Sequence, residues 1–246
     1  MKLFTKSVLS VLIALSVCSL AGSNVAAKSS LGEVRVFTES QLRFSEAVEQ
    51  DRVSVVKKLL ADGLSPNQMV KEGDPALVRA IRLGHSELVE ILLEQPNIDV
   101  NMSSDYGETA LMLAAFSGDM DLTKTLFEKG AALQKSIGWS PLHYAATNGH
   151  EAIVQFLIAK GANVNVRTDA GVTPLYMAAR GLHRKTVMTL MRAGAYRDLC
   201  NFRSESPADA ARKAGDKELA DYLSIDRCIE PENSPFKQKI ESADKK

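Results

Sequence analysis

The sequence predicts an all-α protein of stacked helix-turn-helix units, and three observations predict it. Gly73, Gly107, Gly138 and Gly171 recur at spacings of 34, 31 and 33 residues. Each opens the same phrase: GDPALVRAI, GETALMLAA, GWSPLHYAA and GVTPLYMAA. A second stretch with apolar residues at helical spacing follows, as in ELVEILL, DLTKTLF and EAIVQFLI. A period in the thirties marks supersecondary units that cannot bury their apolar face alone and therefore stack.

Within a unit each element has a local cause. The glycine makes a turn, and Thr109, Ser140 and Thr173 stand where a hydroxyl can cap the first helix. Pro141 and Pro174 occupy its first helical position, where a missing N–H costs nothing. Leu77, Leu111, Leu142 and Leu175 are the core knobs. The pairs Ala114-Ala115, Ala145-Ala146 and Ala178-Ala179 let neighbouring inner helices approach closely. Gly84, Gly118 and Gly149 end the inner helix, and Gly130, Gly161 and Gly194 end the outer one ahead of a projecting hairpin loop. Repeat two has Pro75-Ala76 in place of Thr-Pro, which predicts a weaker cap. Repeat five lacks the inner-helix glycine at Leu182, where Gly181 is expected to serve.

Two weaker copies flank the four clear ones. One begins at Ala47 and keeps the outer helix and the Asp62-Gly63 stop, with Phe37 to Gln50 replacing the first helix. The other runs SPADAARKAGDKELADYL from Ser206, and its outer helix is polar enough to face water. Degenerate end units fit a stack whose ends need solvated faces. With T-P-L-H-x-A at its centre and Gly161-Ala162-Asn163-Val164-Asn165 as its loop, the repeat resembles the ankyrin family. The resemblance implies an ankyrin-repeat solenoid of about six repeats over 37–226, first and last being caps. The 31-residue step is expected to leave a short hairpin around Leu133 to Ile137.

The remaining boundaries follow from composition. Lys2 and Lys6, an apolar run from Val8 to Leu20, and Val25-Ala26-Ala27 read as a cleavable signal peptide over 1–27. The apolar run is short for a membrane span, which needs roughly 20 residues. A retained signal anchor is the alternative; a lipoprotein anchored at Cys18 is another, against which the bulky Val17 argues. Residues 28–36 are then a linker, and 227–246 a C-terminal tail, with a disordered composition rich in charge and proline. Basic and acidic residues both number 30, which offers nothing toward nucleic acid. Cleavage after Ala27 leaves 28 basic residues against 30 acidic, a net charge of −2. Cys200 and Cys228 remain as an even pair, either two separate thiols or a bridge tying the loop before the last repeat to the segment leaving it.

Function is read from the positions the framework does not use. His143 is the motif histidine; His85, His150 and His183 hold equivalent places at the start of outer helices. All four have framework explanations, and no Cys-x-x-Cys, phosphate-cradling loop or nucleophile elbow occurs. No catalytic residue, metal or cofactor is therefore expected. In ankyrin arrays the hairpin tips, the residue after the turn glycine and the end of the inner helix line a concave face. The resemblance carries those places onto Arg82, Tyr106, Glu108, Phe116, Trp139, Thr147, Asn148, Val172 and Arg180. Lys71, Glu72, Asp74, Asp105, Ser117, Ser136, Ile137, Asp169, Glu205 and Lys213 hold similar positions. The one tryptophan, Trp139, falls on such a position, and exposed aromatics are frequent interface hot spots. The competing reading packs Trp139 locally over the shortened hairpin.

These readings predict a monomeric, non-enzymatic scaffold binding a protein partner, periplasmic or secreted. A membrane enters only through a retained signal or a lipidated Cys18. Other roles open to such a chain are a toxin immunity or inhibitor protein, an effector binding host proteins, or a lipid-anchored envelope component.

Overall fold

The structure, a computed structural model, describes residues 25–28, 34–70, 73–134 and 138–229. Among these residues the chain forms twelve helices and one two-stranded sheet, an all-α repeat fold. It divides into two compact units, residues 1–107 and 108–246.

The first unit begins with β1 (Val25–Lys28) paired antiparallel to β2 (Val34–Phe37), Val25 opposite Phe37 and Lys28 opposite Val34. The sequence placed the end of a leader and a linker on these residues, and nothing in its periodicity signalled the pairing. Residues 1–24 of the leader lie outside the described residues. Helices α1 (Glu39–Glu49) and α2 (Val53–Ala61) form the first repeat. Thr38 and Gln41 close a reciprocal capping box, which is why α1 starts there without the repeat's usual cap. The second repeat is α3 (Ala76–Leu83) and α4 (Ser86–Glu94), and Pro75 gives α3 no side-chain cap. Inner helix α1 packs on α3 and outer α2 on α4. His85 Nδ1 donates to the Val48 carbonyl at 3.0 Å and ties the two repeats together.

The second unit holds four repeats: α5 (Ala110–Ser117) with α6 (Met120–Glu128), and α7 (Pro141–Thr147) with α8 (Glu151–Ala159). After them come α9 (Pro174–Arg180) with α10 (Arg184–Arg192), and α11 (Pro207–Lys213) with α12 (Lys217–Tyr222). Inner helices α5, α7, α9 and α11 pack in chain order, with outer α6, α8 and α10 alongside. The alanine pairs and Leu142, Leu157, Leu175 and Leu190 are fully or almost fully buried, so small residues set the helix spacing and leucines fill between layers. Thr109 and Thr173 accept from the N–H groups of Met112 and Tyr176, as their spacing predicts.

Histidines join these repeats as well. His150 and His183 bond the carbonyls of Phe116 and Thr147, each at 2.9 Å. The stop of α9 differs from the sequence expectation. Gly181 stays right-handed at φ −81°, and Leu182 takes the left-handed turn at φ 57°. Gly181 is needed for space: a Cβ there would lie 2.5 Å from the His183 ring and 3.1 Å from the Thr147 carbonyl.

At the C-terminal end Cys200 and Cys228 are joined in a disulfide, Cα atoms 5.6 Å apart. Cys200 N–H donates to the Ile229 carbonyl, and Arg167 reaches the same oxygen. Residues 227–229, which composition assigned to the tail, are therefore fixed against the loop before the last repeat. Residues 230–246 lie outside the described residues.

Candidate protein-binding surface

The repeat gives every inner helix the same two outward positions, one just after the turn glycine and one eight residues on. In repeats three, four and five these are Glu108 and Phe116, Trp139 and Thr147, Val172 and Arg180. The second unit gathers several of them into one patch. Trp139 and Phe116 stand 43% and 45% exposed although each is a large aromatic. Tyr144 lies between them, its ring centroid 5.9 Å from both and nearly perpendicular to both. Trp139 also meets the His143 ring edge-on at 5.5 Å. Trp139 thus packs in part against His143 and Tyr144 while much of it stays exposed; residues 135–137 of the hairpin, over which the competing reading places it, lie outside the described residues.

Phe116, Trp139, Tyr144, Thr147 and Met177 line a shallow depression of about 200 Å³. Its walls are held from below. Tyr144 Oη donates to Glu108 at 2.8 Å, and Thr147 Oγ1 to the His143 carbonyl at 2.7 Å. Asn148 Nδ2 donates to the Phe116 carbonyl at 2.8 Å, so this candidate binding residue braces the helix end. His143 is fully buried; its Nδ1 accepts from Ser140 N–H, which leaves Nε2–H to donate to the Val172 carbonyl at 3.0 Å. Burial pushes its pKa down to about 4, which keeps the ring neutral and in this tautomer. Val172 is half-buried, and its backbone closes a hairpin with Thr168. Arg180 is exposed.

Beside the patch a polar network ties repeats five and six. Tyr176 replaces the motif histidine and donates to Glu205 at 2.8 Å; Lys213 and Asn201 bond the same carboxylate. Lys213 and Tyr176 hold Glu205 down at about 2, while burial and then Glu205 push the Tyr176 hydroxyl up to about 12.

In the first unit, Tyr106 is 75% exposed. Asp74, read from the sequence as an open position, is only 3% exposed. Arg82 grips it with Nε and Nη2 at 3.0 and 3.3 Å, so both side chains are engaged in the framework. A carboxylate one turn ahead of the helix, facing two arginines eight and five residues on, folds inward to them. Lys71, Glu72, Ser136 and Ile137 lie outside the described residues.

Tyr144 and Met177 were absent from the sequence candidates. They hold the variable place inside T-P-L-H-x-A, one turn before Thr147 and Arg180, and i,i+3 spacing puts them on the same helix face. That spacing was the available signal. Among the described residues no group of three or more His, Cys, Asp or Glu side chains could hold a metal. No described helix is long and apolar enough to cross a membrane.

Comparison with known proteins fits this geometry. A family profile described as ankyrin repeats (3 copies) matches residues 44–137 and again 131–201, more than half of the chain. The chain belongs to the ankyrin-repeat family. Among solved structures, this ankyrin array is similar to an ankyrin repeat domain from Acinetobacter baumannii AYE. The two are 26% identical with a TM-score of 0.62, covering 73% of this chain and 95% of that one. It is 37% identical over 123 residues to the E3 ubiquitin-protein ligase Ufd4 of Drosophila melanogaster, 49% of this chain and 4% of the ligase. It is 32% identical over 165 residues to the B-cell lymphoma 3 protein homolog of Mus musculus, 64% of this chain and 37% of that protein. The chain therefore spans well under half the length of these curated relatives. Ankyrin repeats generally mediate protein–protein interaction and are generally non-enzymatic scaffolds.

Proposed function

We propose that this chain is an exported, non-enzymatic scaffold that binds a protein partner through the patch around Trp139. The observation that carries the reading is the exposure of Phe116, near the end of α5, and of Trp139, just ahead of α7, around Tyr144. A preformed surface docks without ordering loops, so little binding energy goes to entropy. Aromatic side chains in a shallow, rigid depression are the anatomy of a hot spot.

Export is supported by the basic, apolar and small-residue succession at the N-terminus and by the Cys200–Cys228 bridge, which suits an oxidising compartment such as the periplasm. Mass spectrometry of the purified chain tests this part. A start at Lys28 supports a soluble exported protein, a diacylated Cys18 or an uncleaved leader on a membrane-bound chain supports an anchored one, and an uncleaved leader on a chain recovered from the cytoplasm contradicts export.

The binding reading is tested by quantitative capture from an envelope fraction with wild type and Trp139→Ala side by side. A partner retained by the wild type and lost from the variant supports the site. Equal retention removes it.

A further inference from the structure

Three inner helices carry a cation in their last turn: Arg82, Arg180 and Lys213 stand at the same place in repeats two, five and six. In two of them the position eight residues earlier holds an acid that neutralises it. Asp74 bonds Arg82 in repeat two, and Glu205 bonds Lys213 in repeat six. In repeat five that position is Val172, and among the described residues Arg180 has no carboxylate partner. The other acids at the equivalent position in this unit are engaged: Glu108, after Gly107, by Tyr144, and Glu205, after Ser204, by Tyr176, Asn201 and Lys213. Arg180 is thus the cation of this series left to face outward.

Its position fixes what it can reach. Met177, which lines the aromatic depression, precedes Arg180 by one helical turn, so their Cβ atoms lie about 5–6 Å apart on one face. In an extended chain, side chains two residues apart project from the same face roughly 6.6 Å apart. The two spacings match.

We propose that the surface takes an extended segment of a partner protein carrying a bulky apolar residue and, two positions away, an aspartate or glutamate. This rests on reading the patch as a protein-binding site. The apolar side chain sits among Phe116, Trp139, Tyr144 and Met177, and the carboxylate pairs with Arg180. Arginine suits the task because its planar fork meets a carboxylate with two parallel hydrogen bonds.

The test is selection of displayed random heptapeptides on the full chain. Titration follows, using the synthetic winner and its counterpart with asparagine in place of the acid. The proposal expects enrichment of apolar–any–acidic triplets. It expects about fivefold weaker binding on replacing the acid or on Arg180→Glu, the upper end for an exposed ion pair. Val172→Asp should weaken binding similarly by supplying Arg180 with an internal partner, and melts of both variants no lower than wild type exclude misfolding. Winners indifferent to the acid and to Arg180→Glu, yet lost with Trp139→Ala, overturn the acidic pairing and leave the binding surface standing. Winners indifferent to Trp139→Ala overturn both, and a selection without enrichment overturns the extended-segment proposal.

Discussion

Repeat two and repeat five run through the same inner helix and end it on the same kind of residue, yet one is closed and the other open. In repeat two the glycine turn is followed by Asp74, which folds under the helix and bonds Arg82. In repeat five the turn is followed by Val172, and Arg180 extends into solvent beside the depression of Phe116, Trp139, Tyr144 and Met177. Repeat six repeats the closed arrangement with Glu205 and Lys213. The two helices differ in cap and stop as well, but the contrast between closed and open is set by two side chains per repeat. A closed pair serves stability, whereas the open pair leaves its arginine exposed.

The comparison breaks most visibly where the closed end is held covalently. The Cys200–Cys228 bridge spans 28 residues, and replacing both cysteines by serine should cost about 3 kcal/mol in a denaturant melt, the range for a loop of that length. Asp74→Ala removes the buried carboxylate that Arg82 bonds and Arg79 approaches, and should cost about 2 kcal/mol. Val172→Ala at the equivalent open position should cost about 1 kcal/mol or less, since that side chain is half-buried. Equal losses at Asp74 and Val172 would erase the distinction between closed and open repeats.

Acid sharpens it. Glu205 is held near 2 against an ordinary value of 4.5, so its charged form stabilises repeat six above that ordinary value. The contribution is lost as pH falls from 4.5 through about 2, and Glu205→Gln should flatten the stability profile across that window. The smallest effect concerns a strained stop. Leu182 adopts φ 57°, and Leu182→Gly should raise stability by about 0.5–1 kcal/mol in the same melt, because glycine takes the left-handed region without steric penalty.

The fold was legible because its causes are local. Caps at Thr109 and Thr173, the glycine stops and the bridging histidines all follow from spacing within one repeat. Backbone handedness at Gly181 and Leu182 was not legible, since either residue can be placed next to the stop and only packing against His183 decides. The strands Val25–Lys28 and Val34–Phe37 left no mark because the apolar run ahead of them dominates the pattern. For the site, position in the repeat located Phe116, Trp139 and Thr147 but could not reveal that Asp74 turns inward to Arg82. Tyr144 and Met177 were hidden for the opposite reason: they sit inside the framework phrase, and their side chains nevertheless emerge beside the outward positions.

Binding through the open face would rest on its exposed aromatics, Trp139 first. The direct measurement is the dissociation constant of the captured partner for wild type and for Trp139→Ala, with thermal melts of both chains. Removal of a hot-spot aromatic predicts at least about fivefold weaker binding with nearly unchanged melts. Equal dissociation constants would contradict the central claim.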